Sequence, residues 1–195
     1  MSVTDIRPVK TALREKYKQW RRELTEAEKH DADTRILERV CDLWQYRQND
    51  TVLTYVSTAI EVDTHALISR ALNDGKRVAV PRCVPGTREM EFFYIDAMEQ
   101  LTPGAFGVLE PDPERCEKLT DYRKGLCLVP ALSYDWRGFR LGYGKGYYDR
   151  FLSRFEGNMV GMCYAACVQK NLPHGRFDCP VELLVTEQYI RRTNR

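Results

Sequence analysis

Apolar residues along this chain fall into two spacings. In the first quarter they recur every three or four positions: Leu13, Tyr17 and Trp20 or Leu24 form one stripe, which predicts a helix over 8–24. Thr25-Glu-Ala-Glu28 then reads as a capping box and opens a second helix running to about Trp44 through Ile36, Leu37, Val40 and Leu43. From residue 51 the pattern changes to short, continuous apolar or β-branched runs. Residues 51–56, 76–81, 90–94, 126–130, 159–164 and 183–186 read as strands. Thr64 caps a helix over 65–73, stopped by Asn73-Asp-Gly75, and residues 147–152 read as the first turns of another helix. A short helix is expected to close the chain near Glu187. Residues 101–125, punctuated by Pro103-Gly104, Gly107, Pro111 and Pro113, read as loop. Helices alternating with short buried strands predict an α/β fold, a largely parallel sheet flanked by helices in a Rossmann-like three-layer architecture. No internal repeat or linker interrupts residues 1–195, so one domain is expected.

Composition narrows the function classes. Thirty basic residues stand against 28 acidic ones for a net charge of +2, which argues against a dedicated nucleic-acid binder. No stretch of about 18 apolar residues suggests a membrane span, and Met1-Ser-Val-Thr-Asp-Ile-Arg7 has no signal-peptide core. Seven scattered cysteines without a CxxC pair fit free thiols in a reducing cytoplasm, and the expected state is a monomer. His30, His65 and His174 have no metal-ligand spacing among themselves or with the cysteines.

Chemistry concentrates in Arg140-Leu-Gly-Tyr-Gly-Lys-Gly-Tyr-Tyr-Asp149. Gly142, Gly144 and Gly146 lack a Cβ, so the backbone can take positive φ, approach a ligand closely and turn successive amides toward an anion. Arg140 and Lys145 add donors for phosphate oxygens, and Asp149 is the type of oxygen ligand that phosphate-bound Mg²⁺ takes. The segment matches neither a Walker loop, since Gly146 follows Lys145, nor the Gly-x-Gly-x-x-Gly fingerprint. Its place after a buried strand and before a helix is where open α/β sheets bind ligands, and it reads as a nucleotide triphosphate site.

Other residues are less distinctive. Lys10 and Arg14, four apart on one helix face, fit a phosphate site reached from across the fold, yet Lys16, Lys18, Arg21 and Arg22 follow, and such charge runs usually face solvent. Glu61 and Asp63 follow a strand end. Either suits a polar heterocycle, acid–base work or a metal, while Asp63 and Thr64 also suit capping, which is the reading preferred for Thr64. Aromatic residues including Tyr55, Phe92, Phe93, Phe106, Tyr134, Tyr143, Tyr147 and Tyr148 offer stacking surfaces for a flat ligand, though most belong to an ordinary core. No Ser/His/Asp or Cys/His arrangement stands out, which fits phosphoryl chemistry run by positioning and charge neutralisation.

Together, Lys10-x3-Arg14, Glu61-Val-Asp-Thr64, Gly75-Lys-Arg-Val-x-Val-Pro81, Phe106-Gly-Val-x-Glu-Pro111 and the Arg140–Asp149 segment resemble, in order and spacing, the 5-formyltetrahydrofolate cyclo-ligase family over essentially the whole chain. The resemblance implies ATP- and Mg²⁺-dependent cyclisation of 5-formyltetrahydrofolate, a reduced folate, to the 5,10-methenyl form through an iminium phosphate, with release of ADP and phosphate. It implies that Lys10, Arg14, Arg140, Leu141, Gly142, Tyr143, Gly144, Lys145, Gly146 and Tyr147 bind ATP. Lys145 and Arg140 would neutralise the γ-phosphoryl, Val56 and Glu61 would bind the folate, and Tyr148 would sit by the formyl group. Asp149 and Glu182 would hold the metal. Glu182 stands where Asp is usual in the family, and Phe177 where His is common, which weakens any role carried by that His.

Overall fold

The structure is a computed structural model describing residues 5–193, with the side chain of Phe106 outside the description. Helix α1 (Arg7–Glu23) starts on Pro8, whose fixed φ suits a first turn, and places Arg21 and Arg22 in its last turn. Helix α2 (Glu26–Asp42) carries the expected reciprocal cap between Thr25 and Glu28. It stops where Leu43 turns extended (ψ 140°) to bury its side chain, and the chain resumes as the short α3 (Trp44–Gln48).

The central sheet has seven strands in the order β12-β11-β9-β6-β1-β2-β3. Its parallel core is β11 (Leu183–Val185), β9 (Asn158–Met162), β6 (Leu126–Pro130), β1 (Thr51–Leu53) and β2 (Arg77–Cys83). β3 (Met90–Ile95) and β12 (Ile190–Arg192) add antiparallel edges. Val52, Leu53, Leu126, Leu128 and Leu184 are fully buried, as continuous apolar runs covered on both faces require. Helix α4 (His65–Asn73) connects β1 to β2. Strand order reverses between β1 and β6, and in open sheets that is the point where a crevice forms beyond the strands' carboxyl ends.

The expected layers are present, with local corrections. The C-terminal helix near Glu187 does not form: Thr186 and Tyr189 close a tight turn, and β12 pairs back onto β11. The segment 101–125 contains a hairpin, β4 (Leu101–Pro103) with β5 (Leu109–Pro111). Ahead of the glycine loop, β7 (Ser133–Asp135) pairs with β8 (Arg140–Leu141) and with β10 (Val168–Gln169). Thr64 does not cap α4 with its side chain. Its hydroxyl donates to Tyr55 O, and Asp63 accepts from the His65 N–H at 3.1 Å instead.

One close approach explains a glycine. A Cβ on Gly161 of β9 would lie 2.5 Å from Cζ of Tyr134, which is fully buried and hydrogen-bonded to Val129 O at 2.9 Å. Gly161→Ala should therefore destabilise the protein by roughly 1–3 kcal/mol, an overpacking cost that lowers Tm by about 2–12 °C. A thermal melt matching the unsubstituted protein would show that Tyr134 moves aside freely.

Candidate active site

A cavity of about 660 Å³ opens beyond the carboxyl ends of β1, β2 and β6, lined by Tyr55 and Val56, by Pro81 and Cys83, and by Pro130. The glycine loop and the start of α5 (Tyr147–Leu152) form another wall, with Lys10 and Arg14 of α1 beside it. Thr58, Ile60 and Glu61 close one side, and Met90 with Ala105, Val108 and Glu110 of the β4–β5 hairpin close the other.

Within the loop, Gly144 (φ +91°) and Gly146 (φ +76°) occupy the left-handed region, whereas Gly142 does not. The permissive backbone is thus needed at two of the three positions where it was expected. Arg14 braces the turn: its Nε donates to Gly142 O at 2.8 Å, and its guanidinium packs where a Cβ on Gly144 would sit. Helix α5 has only six residues, so the loop's amides and cations, more than a helix dipole, set the local field.

Lys10 Nζ donates to Asp178 Oδ2 at 2.6 Å, and the Gly175 N–H donates to the same oxygen at 2.9 Å. Burial opposes ionisation of Asp178, but these two donors outweigh it and hold its carboxyl below the ordinary carboxylate range. Asp178 was not apparent in the sequence, because its partner lies 168 positions away. Arg140 reaches the cavity in a different role from the one expected. Its Nη2 donates to Asp149 Oδ1 at 2.7 Å and its Nη1 to Cys179 O at 2.9 Å, so it is the buried counter-charge of Asp149. Asp149 Oδ1 also accepts from the Cys179 N–H, while Oδ2 makes no hydrogen bond among the described residues.

In the same cavity, Glu61 is buried, and its Oε2 accepts from Thr58 N and Thr58 Oγ1 at 2.8 and 2.9 Å, a tight local turn that fixes the carboxylate. Tyr143 stands beside it at the rim. The Tyr148 hydroxyl is buried without a hydrogen-bond partner among the described residues. Burial first, then nearby Cys127 and Glu61, pushes its pKa well above the ordinary phenol range, so it remains a proton donor. Lys145 and Tyr147 line the same cavity, as do Leu141 and Val56.

Glu182 is the expected site residue that the fold leaves outside this lining. Its N–H donates to Met159 O and its carbonyl accepts from Thr193 N, which commits it to the start of β11 next to the amino-terminal half of β9. The carboxylates lining the cavity are Glu61, Glu110, Asp149 and Asp178. Glu110, part of the motif shared with the family but given no role from the sequence, accepts from the Cys83 N–H at 3.1 Å. Among the described residues no group of three or more His, Cys, Asp or Glu side chains forms a metal cage. A nucleotide-borne Mg²⁺ does not need one, since it takes one or two carboxylates and fills its remaining positions with phosphate and water oxygens. Asp149, with Oδ2 uncommitted, suits that demand. No helix among the described residues is long and apolar enough to cross a membrane.

Comparison with known proteins points to one family. Residues 6–187 match the model of the 5-formyltetrahydrofolate cyclo-ligase family. A probable 5-formyltetrahydrofolate cyclo-ligase of Schizosaccharomyces pombe is 31% identical over 173 residues, covering 80% of this chain and 84% of the relative. The 5-formyltetrahydrofolate cyclo-ligase of Haemophilus influenzae is 28% identical, covering 87% and 92%. Among solved structures, the Aquifex aeolicus 5,10-methenyltetrahydrofolate synthetase superposes with a TM-score of 0.83 at 31% identity, covering 96% of this chain and 94% of that one. A glycine loop braced from the first helix, a buried carboxylate in the same cavity, and a family match over nearly the whole chain lead to one conclusion: this protein belongs to the 5-formyltetrahydrofolate cyclo-ligase family.

Proposed function

We propose that the cavity binds MgATP and 5-formyltetrahydrofolate together and closes the folate to its 5,10-methenyl form. The observation that carries this reading is that one cavity gathers two sets of groups: the glycine loop with the cations Lys10, Arg14 and Lys145, and the buried Glu61 with the Tyr148 hydroxyl, which has no hydrogen-bond partner among the described residues. The first set fits a triphosphate, and the second fits a polar heterocycle with a formyl oxygen to be held.

A formyl amide oxygen is a poor leaving group. Transfer of the γ-phosphoryl to it releases ADP and leaves an iminium phosphate on N5. N10 then attacks the formyl carbon and gives up its proton, the C–O bond breaks, and phosphate departs as N5 re-forms its double bond to carbon. In this chain, Lys145 and the loop amides stabilise charge on the transferring group. Lys10 and Arg14 orient the phosphates, Glu61 and Val56 seat the folate, and Tyr148 donates toward the formyl oxygen. Arg140 fixes the Asp149 carboxylate, which would hold Mg²⁺, the source of further neutralising charge on the phosphate oxygens when bound. All seven cysteines are free thiols, in keeping with work in a reducing cytoplasm.

Protein, 5-formyltetrahydrofolate and MgATP, each omitted in turn, should give the near-ultraviolet absorbance of the methenyl product only when all three are present. No absorbance, with ATP still binding in a separate titration, would reduce the protein to a nucleotide-binding relative without turnover.

A further inference from the structure

On α1, Lys10, Arg14, Tyr17 and Arg21 succeed one another at spacings of four, three and four, so they share one helix face. Lys10 and Arg14 meet the cavity, and Tyr17 and Arg21 are buried beneath it. The sequence places Arg21 in a solvated charge run, but it is only 3% exposed. Its NH1 donates to Ile60 O at 3.2 Å, and its NH2 donates to Ala131 O and Leu132 O at 2.6 and 3.0 Å. It pairs with no carboxylate among the described residues, and its Nε makes no hydrogen bond.

A buried guanidinium answered mainly by carbonyls is expensive, and an apolar side chain of similar length would pack there without that cost. What a guanidinium does and a Met or Lys side chain does not is bridge carbonyls of separate segments in one rigid plane. Both segments here are walls of the cavity. Ile60 precedes Glu61, and Ala131 and Leu132 follow Pro130 and lead through the β7–β8 hairpin into the glycine loop. Tyr164, whose ring centroid lies 5.3 Å from the guanidinium carbon, packs against it, with its hydroxyl donating to Asp33 Oδ1 at 2.8 Å.

We propose that Arg21 is a positioning residue that sets the phosphate-binding face of α1 in register with the folate wall, so that phosphoryl donor and formyl oxygen meet in line. This rests on the two-substrate reading of the cavity above. Misalignment by about 1 Å costs on the order of 100-fold in rate without abolishing binding of either partner alone. The effect should therefore appear in kcat.

The test uses Arg21→Lys, which keeps the charge, and Arg21→Met, which removes the buried charge and is expected to fold. ATP and 5-formyltetrahydrofolate are titrated separately by calorimetry, and kcat is expressed per nucleotide-binding site so that unfolded protein does not count. Both variants should bind each substrate within about threefold of the unsubstituted affinity while kcat per site falls at least about tenfold. A smaller fall in either variant overturns the proposal. So does a loss of rate fully explained by lost binding or by lost sites in both, which would make Arg21 a folding residue only. Unsubstituted protein that makes no methenyl product would instead overturn the cyclo-ligase reading.

Discussion

Asp149→Asn should lower kcat by at least about 100-fold, which is about 2.7 kcal/mol of transition-state stabilisation. Two effects add. Asn keeps one acceptor for the Cys179 N–H but removes the negative charge facing Arg140, whose side chain is 4% exposed and would be left as an uncompensated buried cation. It also removes the anionic oxygen available to a nucleotide-borne Mg²⁺. The two are separable: raising Mg²⁺ should recover part of the rate if metal binding is weakened, whereas disturbance of Arg140 appears as a lower Tm that Mg²⁺ does not restore. Unchanged turnover across a Mg²⁺ titration would take Asp149 out of the mechanism.

Gly144→Ala should raise the KM for ATP by about tenfold or more and leave the KM for 5-formyltetrahydrofolate within about twofold. At φ +91° an L-residue pays roughly 1–2 kcal/mol for its Cβ. That Cβ would also come within 3.1 Å of the Arg14 guanidinium, the group bracing Gly142 O. Relief requires either the loop or Arg14 to move, and both belong to the phosphate wall. Equal changes in both KM values would mean that the loop does not separate the two ligands. Gly142, which has no left-handed φ and open space around its Cβ position, is the internal control: Gly142→Ala should be tolerated far better.

The layers of the fold were legible because they depend on patterns of five or more residues. The helical stripe of α1, the capping box of α2 and the buried runs of β2 and β6 all appear where periodicity or composition placed them. The hairpins β4–β5 and β7–β8 were not, since strands of two or three residues carry no period and take their form from partners distant in sequence. The same limit governs the site. The glycine loop announces itself because its conformational demand is local. Asp178 and Arg21 do not: each is defined by contacts with residues far along the chain, Lys10 in one case and Ala131 and Leu132 in the other. Glu182 shows the converse, a carboxylate that suited a motif but is carried away from the cavity by the pairing of β11.

The ion pair between Lys10 and Asp178 joins two positions separated by 168 residues. On a ribosome adding about 5–20 residues per second, roughly 8–34 s pass between synthesis of the first partner and of the second. Through that interval Lys10 lacks its carboxylate, although by its end Arg14 and Arg21 of the same helix already have the carbonyls of Gly142, Ala131 and Leu132 within reach. Any nucleotide the cavity binds would meet that ion pair only after Asp178 has been made. A ligand of the finished site would then stabilise, by mass action, the form in which the two ends of the chain are already joined.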